Sequence, residues 1–143
     1  MKTDVVLISI RPEYAKKILI GEKRLEFRRR WTSKQVSCLV IYVTSPVQRI
    51  VAATHVEKVH WGSKNHLWEL AKKKGGGISR RKLFAYLEGR SEGAAIELAT
   101  VSNFSKEALK PSQVFGENFR PPQSFRYLSL DEVEKLNFYF GVE

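Results

Sequence analysis

The sequence has a single cysteine, Cys38, so no internal disulfide can form, and no Cys-x-x-Cys pair offers a zinc site. Cys38 precedes the apolar run Leu39, Val40 and Ile41, which marks it as a buried structural thiol suited to a reducing compartment. The histidines are His55, His60 and His66. His55 and His60 are five apart on an expected strand and face opposite sides, so they do not pair on a metal. No serine–histidine–acid spacing occurs, and the G-x-x-x-x-G-K-[ST] phosphate loop is absent. No apolar stretch approaches the ~20 residues of a membrane span. Asp4 interrupts the first apolar run and Pro12 follows soon after, unlike a secretory signal. The expectation is a cytoplasmic protein with no membrane partner, no metal and no cofactor. No internal repeat is present, no low-complexity tract exists beyond Gly75-Gly76-Gly77, and no pattern specifies an oligomeric state.

Acidic residues are scarce relative to basic ones. Lys and Arg number 25 against 15 Asp and Glu, a formal net charge of +10. Such an excess concentrates polyanions, of which nucleic acid is the commonest. With 143 residues, 43% of them hydrophobic, including eight Phe, five Tyr and three Trp, the chain can build a core and fits a single domain, 1–143.

Val5 to Ile10 is a β-branched run that reads as a buried strand. Pro12 and Glu13 then suit the first turn of a helix with an apolar face of Tyr14, Ala15, Ile18 and Leu19, closed by Gly21. Lys23 to Arg28 alternates, with Leu25 and Phe27 on one side and Arg24, Glu26 and Arg28 on the other. Val36 to Thr44 and Ile50 to Val59 read as antiparallel neighbours across Ser45-Pro46. A helix over 65–74 is broken by the glycine triplet. Ser79 caps another helix, with Leu83, Phe84 and Leu87 buried and Gly89 ending it. Ala94 to Val101, with Thr100 in its alternation, reads as a strand, and Phe125 and Tyr127 begin one after Pro121-Pro122. Between them the sequence reads as loop. Ser129 caps a final helix holding Val133 and Leu136. The expected class is α+β: a small, mixed, mostly antiparallel β-barrel with flanking helices.

Two segments stand out chemically. Lys23, Glu26 and Arg28 form a cation–carboxylate–cation set that suits phosphate or a base edge, or else solvent-facing salt bridges. Lys72 to Lys82 surrounds the glycine triplet with cations, among them Lys74, Arg80 and Arg81. Backbone N–H groups near Gly77 to Arg80 could meet a phosphate; a solvated connection and a helix-turn-helix are the other readings. Trp31 follows Arg29 and Arg30 and suits stacking on a base, Trp61 suits closing a barrel end, and Trp68 suits a core.

Ile8-Ser9-Ile10-Arg11-Pro12-Glu13-Tyr14-Ala15, followed by Gly21, Lys23, Glu26 and Arg28 as G-x-K-x-x-E-x-R, resembles the opening of the ASCH domain family, a branch of the PUA-like superfamily. Phe119-Arg120-Pro121-Pro122-Gln123-Ser124-Phe125 resembles a C-terminal segment of relatives, so the resemblance covers nearly the whole chain. It implies a PUA-like barrel with a cleft lined by the motif and RNA as the ligand. Relatives that deacetylate an acetylated cytidine use a lysine, a threonine and a glutamate. Lys23 matches the lysine, but Glu26 stands at the threonine position and offers no hydroxyl nucleophile. Other relatives are ribonucleases.

The expectation is therefore a binding module holding a nucleotide of RNA, or another nucleic acid. Its contacts would be Lys23, Glu26, Arg28, Arg29, Arg30, Trp31, Lys74, Arg80, Arg81 and Arg120. One alternative is a hydrolase acting on RNA or a modified nucleoside, with Lys23 and Glu26 as acid and base. The other is a DNA-binding regulator using the helices around Gly76.

Overall fold

The computed structural model describes residues 4–99, 101, 103–140 and 142, with backbone alone over 103–107. Thr100 lies outside the described residues. Strands β1 (Asp4–Ile10) and β3 (Val36–Val43) form the parallel centre of the sheet. Both faces are covered, which is why these strands read as near-continuous apolar runs. Their alternate side chains enter two different cores. Val6, Ile8, Leu39 and Ile41 pack toward helix α1 (Pro12–Leu19). Leu7, Cys38, Val40 and Tyr42 pack toward α4 (Ser112–Phe115) and α5 (Leu130–Phe140).

Strand β4 (Arg49–Gly62) is longer than the sequence suggests, because its two halves have different partners. The first half pairs antiparallel with β3 and with β6 (Asn103–Leu109); the second pairs with β5 (Gly93–Leu98). Strand β2 (Leu25–Arg28) lies on the far edge of β5, and β7 (Phe125–Tyr127) on the far edge of β1. A third core joins Leu25 and Phe27 of β2 to Leu67 and Ala71 of α2 (Lys64–Lys74) and Leu83 of α3 (Arg80–Tyr86). No helix among the described residues is long and apolar enough to cross a membrane.

The α+β class holds, but the expected barrel does not close. The strand path runs β2-β5-β4-β3-β1-β7, with β6 on β4, and no ladder joins β2 to β1 or β7 among the described residues. Strand β2 has four residues and β7 three, too little extended backbone to complete the ring. Side chains bridge the seam instead, and the seam holds the cavity described next.

Three smaller expectations also change. Helix α3 buries Leu83, and Leu87 just after it is buried too, but Phe84 is left half-buried beneath Lys64 and Arg80. Strand β6 forms where a loop was expected, since antiparallel pairing with β4 supplies the order that its weak alternation does not announce. Trp61 is exposed near the end of β4, because no closed barrel exists for it to cap.

Candidate functional site

The chain turns back sharply after α1. Gly21 adopts φ +83°, and the N–H groups of Glu22 and Lys23 both donate to the Lys17 carbonyl, at 2.9 and 3.1 Å. This turn sends the Lys23 side chain inward, where the residue is only 3% exposed. Its Nζ donates to the Gly76 carbonyl at 2.6 Å, and Lys17 Nζ donates to the Gly77 carbonyl at 3.1 Å. The Arg24 N–H donates to the Gly75 carbonyl at 2.7 Å. The glycine triplet is thus packed on the lysine segment and turns its carbonyls toward it. Gly77 must be glycine for a spatial reason: a Cβ there would stand 2.7 Å from Lys23 Cβ, and its φ is +64°.

Strand β2 presents Glu26 and Arg28 to the seam while Leu25 and Phe27 enter the third core. Both charged residues are buried, at 7% and 9% exposure, which rules out solvent-facing salt bridges. Arg28 NH2 donates to Glu26 Oε2 at 2.7 Å and to the Ser9 carbonyl of β1 at 2.9 Å. Arg28 NH1 donates to Ser124 Oγ at 3.3 Å, just before β7. The guanidinium therefore spans the gap that the sheet leaves open. Its Nε has no protein hydrogen-bond partner.

Lys23 Nζ lies 3.8 Å from Glu26 Oε1. Burial pushes the lysine down to about 8; Glu26 opposes the shift, while the Lys17 and Arg28 cations add to it. At pH 7 roughly a tenth of such a group is the free amine, far more than for a solvated lysine. The aromatic rings of Tyr14 and Phe27 flank Nζ at 5.2 and 5.0 Å from their centroids. Desolvation, then the Glu13 carboxylate, raises the Tyr14 phenol above its ordinary value, so it stays protonated near neutral pH.

These residues line a cavity of about 620 Å³, within the range of small-ligand sites. Lys23, Glu26, Phe27 and Arg28 share it with the end of β1 and start of α1, through Ser9, Ile10, Arg11, Glu13 and Tyr14. Helix α3 and its approach contribute Ile78, Lys82, Ala85 and Tyr86; Thr44, Gln123 and Ser124 complete it. A protonatable amine, a carboxylate, a guanidinium and several hydroxyls thus meet among aromatic surfaces, an arrangement fit for proton transfer beside a phosphate.

The other seven expected contacts do not line the cavity. Arg29 binds the carbonyls of Tyr86 and Glu88, at 2.6 and 2.8 Å, and so secures the end of α3. Trp31 packs on Phe125 in a tilted contact with ring centroids 4.5 Å apart, and is half-buried. Lys74 pairs with Glu97 at 3.4 Å, and Glu97 also holds His60 Nε2 at 2.8 Å. Arg80 lies 4.1 Å from the Phe84 ring centroid. Arg30, Arg81 and Arg120 are exposed. Burial pushes the Cys38 thiol up to about 12, an unreactive state. No group of three or more His, Cys, Asp or Glu able to hold a metal occurs among the described residues.

Site reasoning from sequence missed Tyr14, Thr44 and Tyr86, and passed over Ser9, Gln123 and Ser124 as contacts. Four of these six lie inside the two segments that carry the family resemblance. Thr44 and Tyr86 had no local signal, since only the fold brings them to the cavity.

No protein-family model matches the chain. It is 32% identical over 131 residues, 91% of its length and 88% of the relative's, to an ASCH domain-containing ribonuclease of Zymomonas mobilis. A crystal structure of ASCH from Zymomonas mobilis superposes with a TM-score of 0.82 at 29% identity, covering 96% of each chain. The chain is also 27% identical over 128 residues to the large ribosomal subunit protein uL22 of Ureaplasma parvum, covering 88% of this chain and 40% of that longer protein.

Proposed function

This chain belongs to the ASCH domain family, and from that premise we propose that it draws one nucleotide of a single-stranded RNA into the seam cavity and cleaves the strand there. The observation that carries the reading is the buried Lys23 amine, depressed to about 8 and set 3.8 Å from Glu26 in a cavity of nucleotide size. A base poised near the working pH is what proton abstraction requires. The ribonuclease name of the Zymomonas relative supports RNA as the substrate.

In this reading the free amine of Lys23 accepts the 2′-hydroxyl proton. The 2′-oxygen attacks phosphorus, and the bond from phosphorus to the 5′-oxygen breaks. The protonated Tyr14 phenol donates to the departing oxygen. The Arg28 guanidinium and the Lys82 ammonium, both lining the cavity, offset the charge that develops on the phosphoryl oxygens. As Lys23 gives up its proton to solvent, the Tyr14 phenolate takes one back, so both groups are reset with no net proton released, and Glu26, fixed by Arg28, keeps the amine in register. Flanking phosphates run over the exposed cations Arg30, Arg81 and Arg120, and Arg29, Lys74 and Arg80 add field from their paired positions. Residues 1–143 act as one domain, since the cavity draws on side chains from Ser9 to Ser124. An unpaired strand fits better than a duplex, because a compact cleft lined by aromatics suits a splayed base.

The test is incubation of a defined single-stranded RNA with wild type and Lys23→Arg, with product ends identified by mass. Fragments ending in 2′,3′-cyclic phosphate, lost in the variant and blocked by one 2′-deoxy substitution at the scissile position, support the reading. Binding without fragments supports a binding module instead.

A further inference from the structure

An amine that spends part of its time uncharged can act as a nucleophile as well as a base. We infer that Lys23 also condenses with the C1′ aldehyde of an abasic residue in a single strand and cuts the strand by β-elimination. The inference rests on the reading that a single strand enters the seam cavity, and it assigns that cavity a second substrate class.

Three features of the geometry support it. The amine is tied by one hydrogen bond to the Gly76 carbonyl at 2.6 Å, which leaves the lone pair of the neutral form free. Tyr14 and Phe27 place ring centroids 5.2 and 5.0 Å from Nζ, so an iminium formed there meets two aromatic rings in place of water. A carboxylate oxygen of Glu26 stands 3.8 Å from Nζ, within reach of a proton on C2′, which lies two bonds from the nitrogen of the adduct. The other Glu26 oxygen is held by Arg28 at 2.7 Å, so the carboxylate is fixed in place. The space of the missing base lets the sugar reach the cavity floor in a site of about 620 Å³.

The chemistry closes without an oxidant or reductant. The Nζ lone pair adds to C1′, and the resulting hydroxyl leaves as water to give the iminium. Glu26 takes the C2′ proton, and the electron pair moves between C2′ and C1′ to form an enamine. That pair then expels the 3′-oxygen as a phosphate monoester, breaking the C3′–O bond. Water hydrolyses the unsaturated iminium, which restores the Lys23 amine and frees an unsaturated aldehyde on the upstream fragment.

The experiment uses the full chain and a single-stranded oligoribonucleotide with one abasic residue, incubated with sodium borohydride. Wild type and Lys23→Arg are compared, each first shown to be folded by circular dichroism. Reduction should fix a covalent adduct that peptide mass mapping places on Lys23, at least tenfold reduced in the variant and absent with a tetrahydrofuran analogue that has no aldehyde. Mapping of the wild-type adduct alone decides the matter if the variant fails to fold. Adducts spread over exposed lysines, or undiminished in Lys23→Arg, overturn the inference. Cleavage of intact RNA with no Lys23 adduct overturns this inference and leaves the ribonuclease reading standing. An adduct on Lys23 without cleavage of intact RNA does the reverse.

Discussion

Lys23 Nζ donates to the carbonyl oxygen of Gly76 at 2.6 Å across 53 residues of sequence, so the loop between α2 and α3 holds the amine on which the account turns. The contact is tight along the whole side chain, since a Cβ on Gly77 would lie 2.7 Å from Lys23 Cβ. Gly77→Ala therefore combines a strained left-handed backbone with a clash. It should lower the unfolding free energy by about 1–3 kcal/mol and cut cleavage at least tenfold. Gly21→Ala is the matched control: φ is +83°, but nothing lies within 4 Å of the added carbon, so it should share the strain and keep most activity. Urea unfolding beside single-turnover cleavage checks both.

Removing the amine should separate stability from activity. Lys23→Met keeps the apolar stem against Tyr14 and Phe27 and removes a buried charge, while Glu26 retains Arg28. Cleavage should fall at least about 100-fold, with a melting temperature no lower than wild type. A large loss of stability would mean that Lys23 is chiefly structural.

The same group links stability to pH. Its folded value is lowered from 10.5 to about 8, so between those two values the unfolded chain binds a proton that the folded chain does not. Stability contributed by this group is therefore lowest below pH 8 and recovers as pH rises through 10.5, by up to about 3 kcal/mol. Denaturant midpoints of wild type relative to Lys23→Met across pH 7–10.5 should show that rise, and parallel curves would contradict it.

Arg28 closes by side chain what the sheet leaves open. Arg28→Ala strands the buried Glu26 carboxylate and releases β2 from Ser9 and Ser124, and should cost about 3–5 kcal/mol. Adding Glu26→Gln should recover part of that loss, a non-additivity expected of residues in one network.

The outer cations should act differently. Changing Arg80 and Arg81 together to alanine should weaken RNA binding and lower the slope of log affinity against log salt by about 1–2. The rate at saturating RNA should not change, because neither residue lines the cavity. Filter binding across a salt series measures the first, and cleavage at saturation the second.

Local signals made much of this molecule legible. Pro12, Gly21, Ser79 and Ser129 mark turns of helix that the structure contains, and Ser129 forms a reciprocal capping pair with Glu132, at 2.9 and 3.2 Å. The motif residues Lys23, Glu26 and Arg28 do meet, but their burial was invisible in the sequence, where four charges in the six positions 23–28 read equally well as a solvated edge. What buries them is distant: the triplet at 75–77, Ser9, and Ser124. Strand β6 and the open seam escaped for a related reason, since partner strands rather than periodicity decide both. The dispersed cations Arg30, Lys74 and Arg120 shared a charge with the site but no spacing that would have placed them outside the cavity.

The most direct test is the pH dependence of single-turnover cleavage of one defined single-stranded RNA by wild type and Lys23→Arg, from pH 6 to 9.5. The account predicts a wild-type rate that climbs about tenfold per pH unit and levels near pH 8, where Lys23 loses its proton, and a variant that lacks the inflection and most of the rate. A wild-type profile flat through that range, or a Lys23→Arg profile with the same inflection, would contradict the assignment of Lys23 as the base.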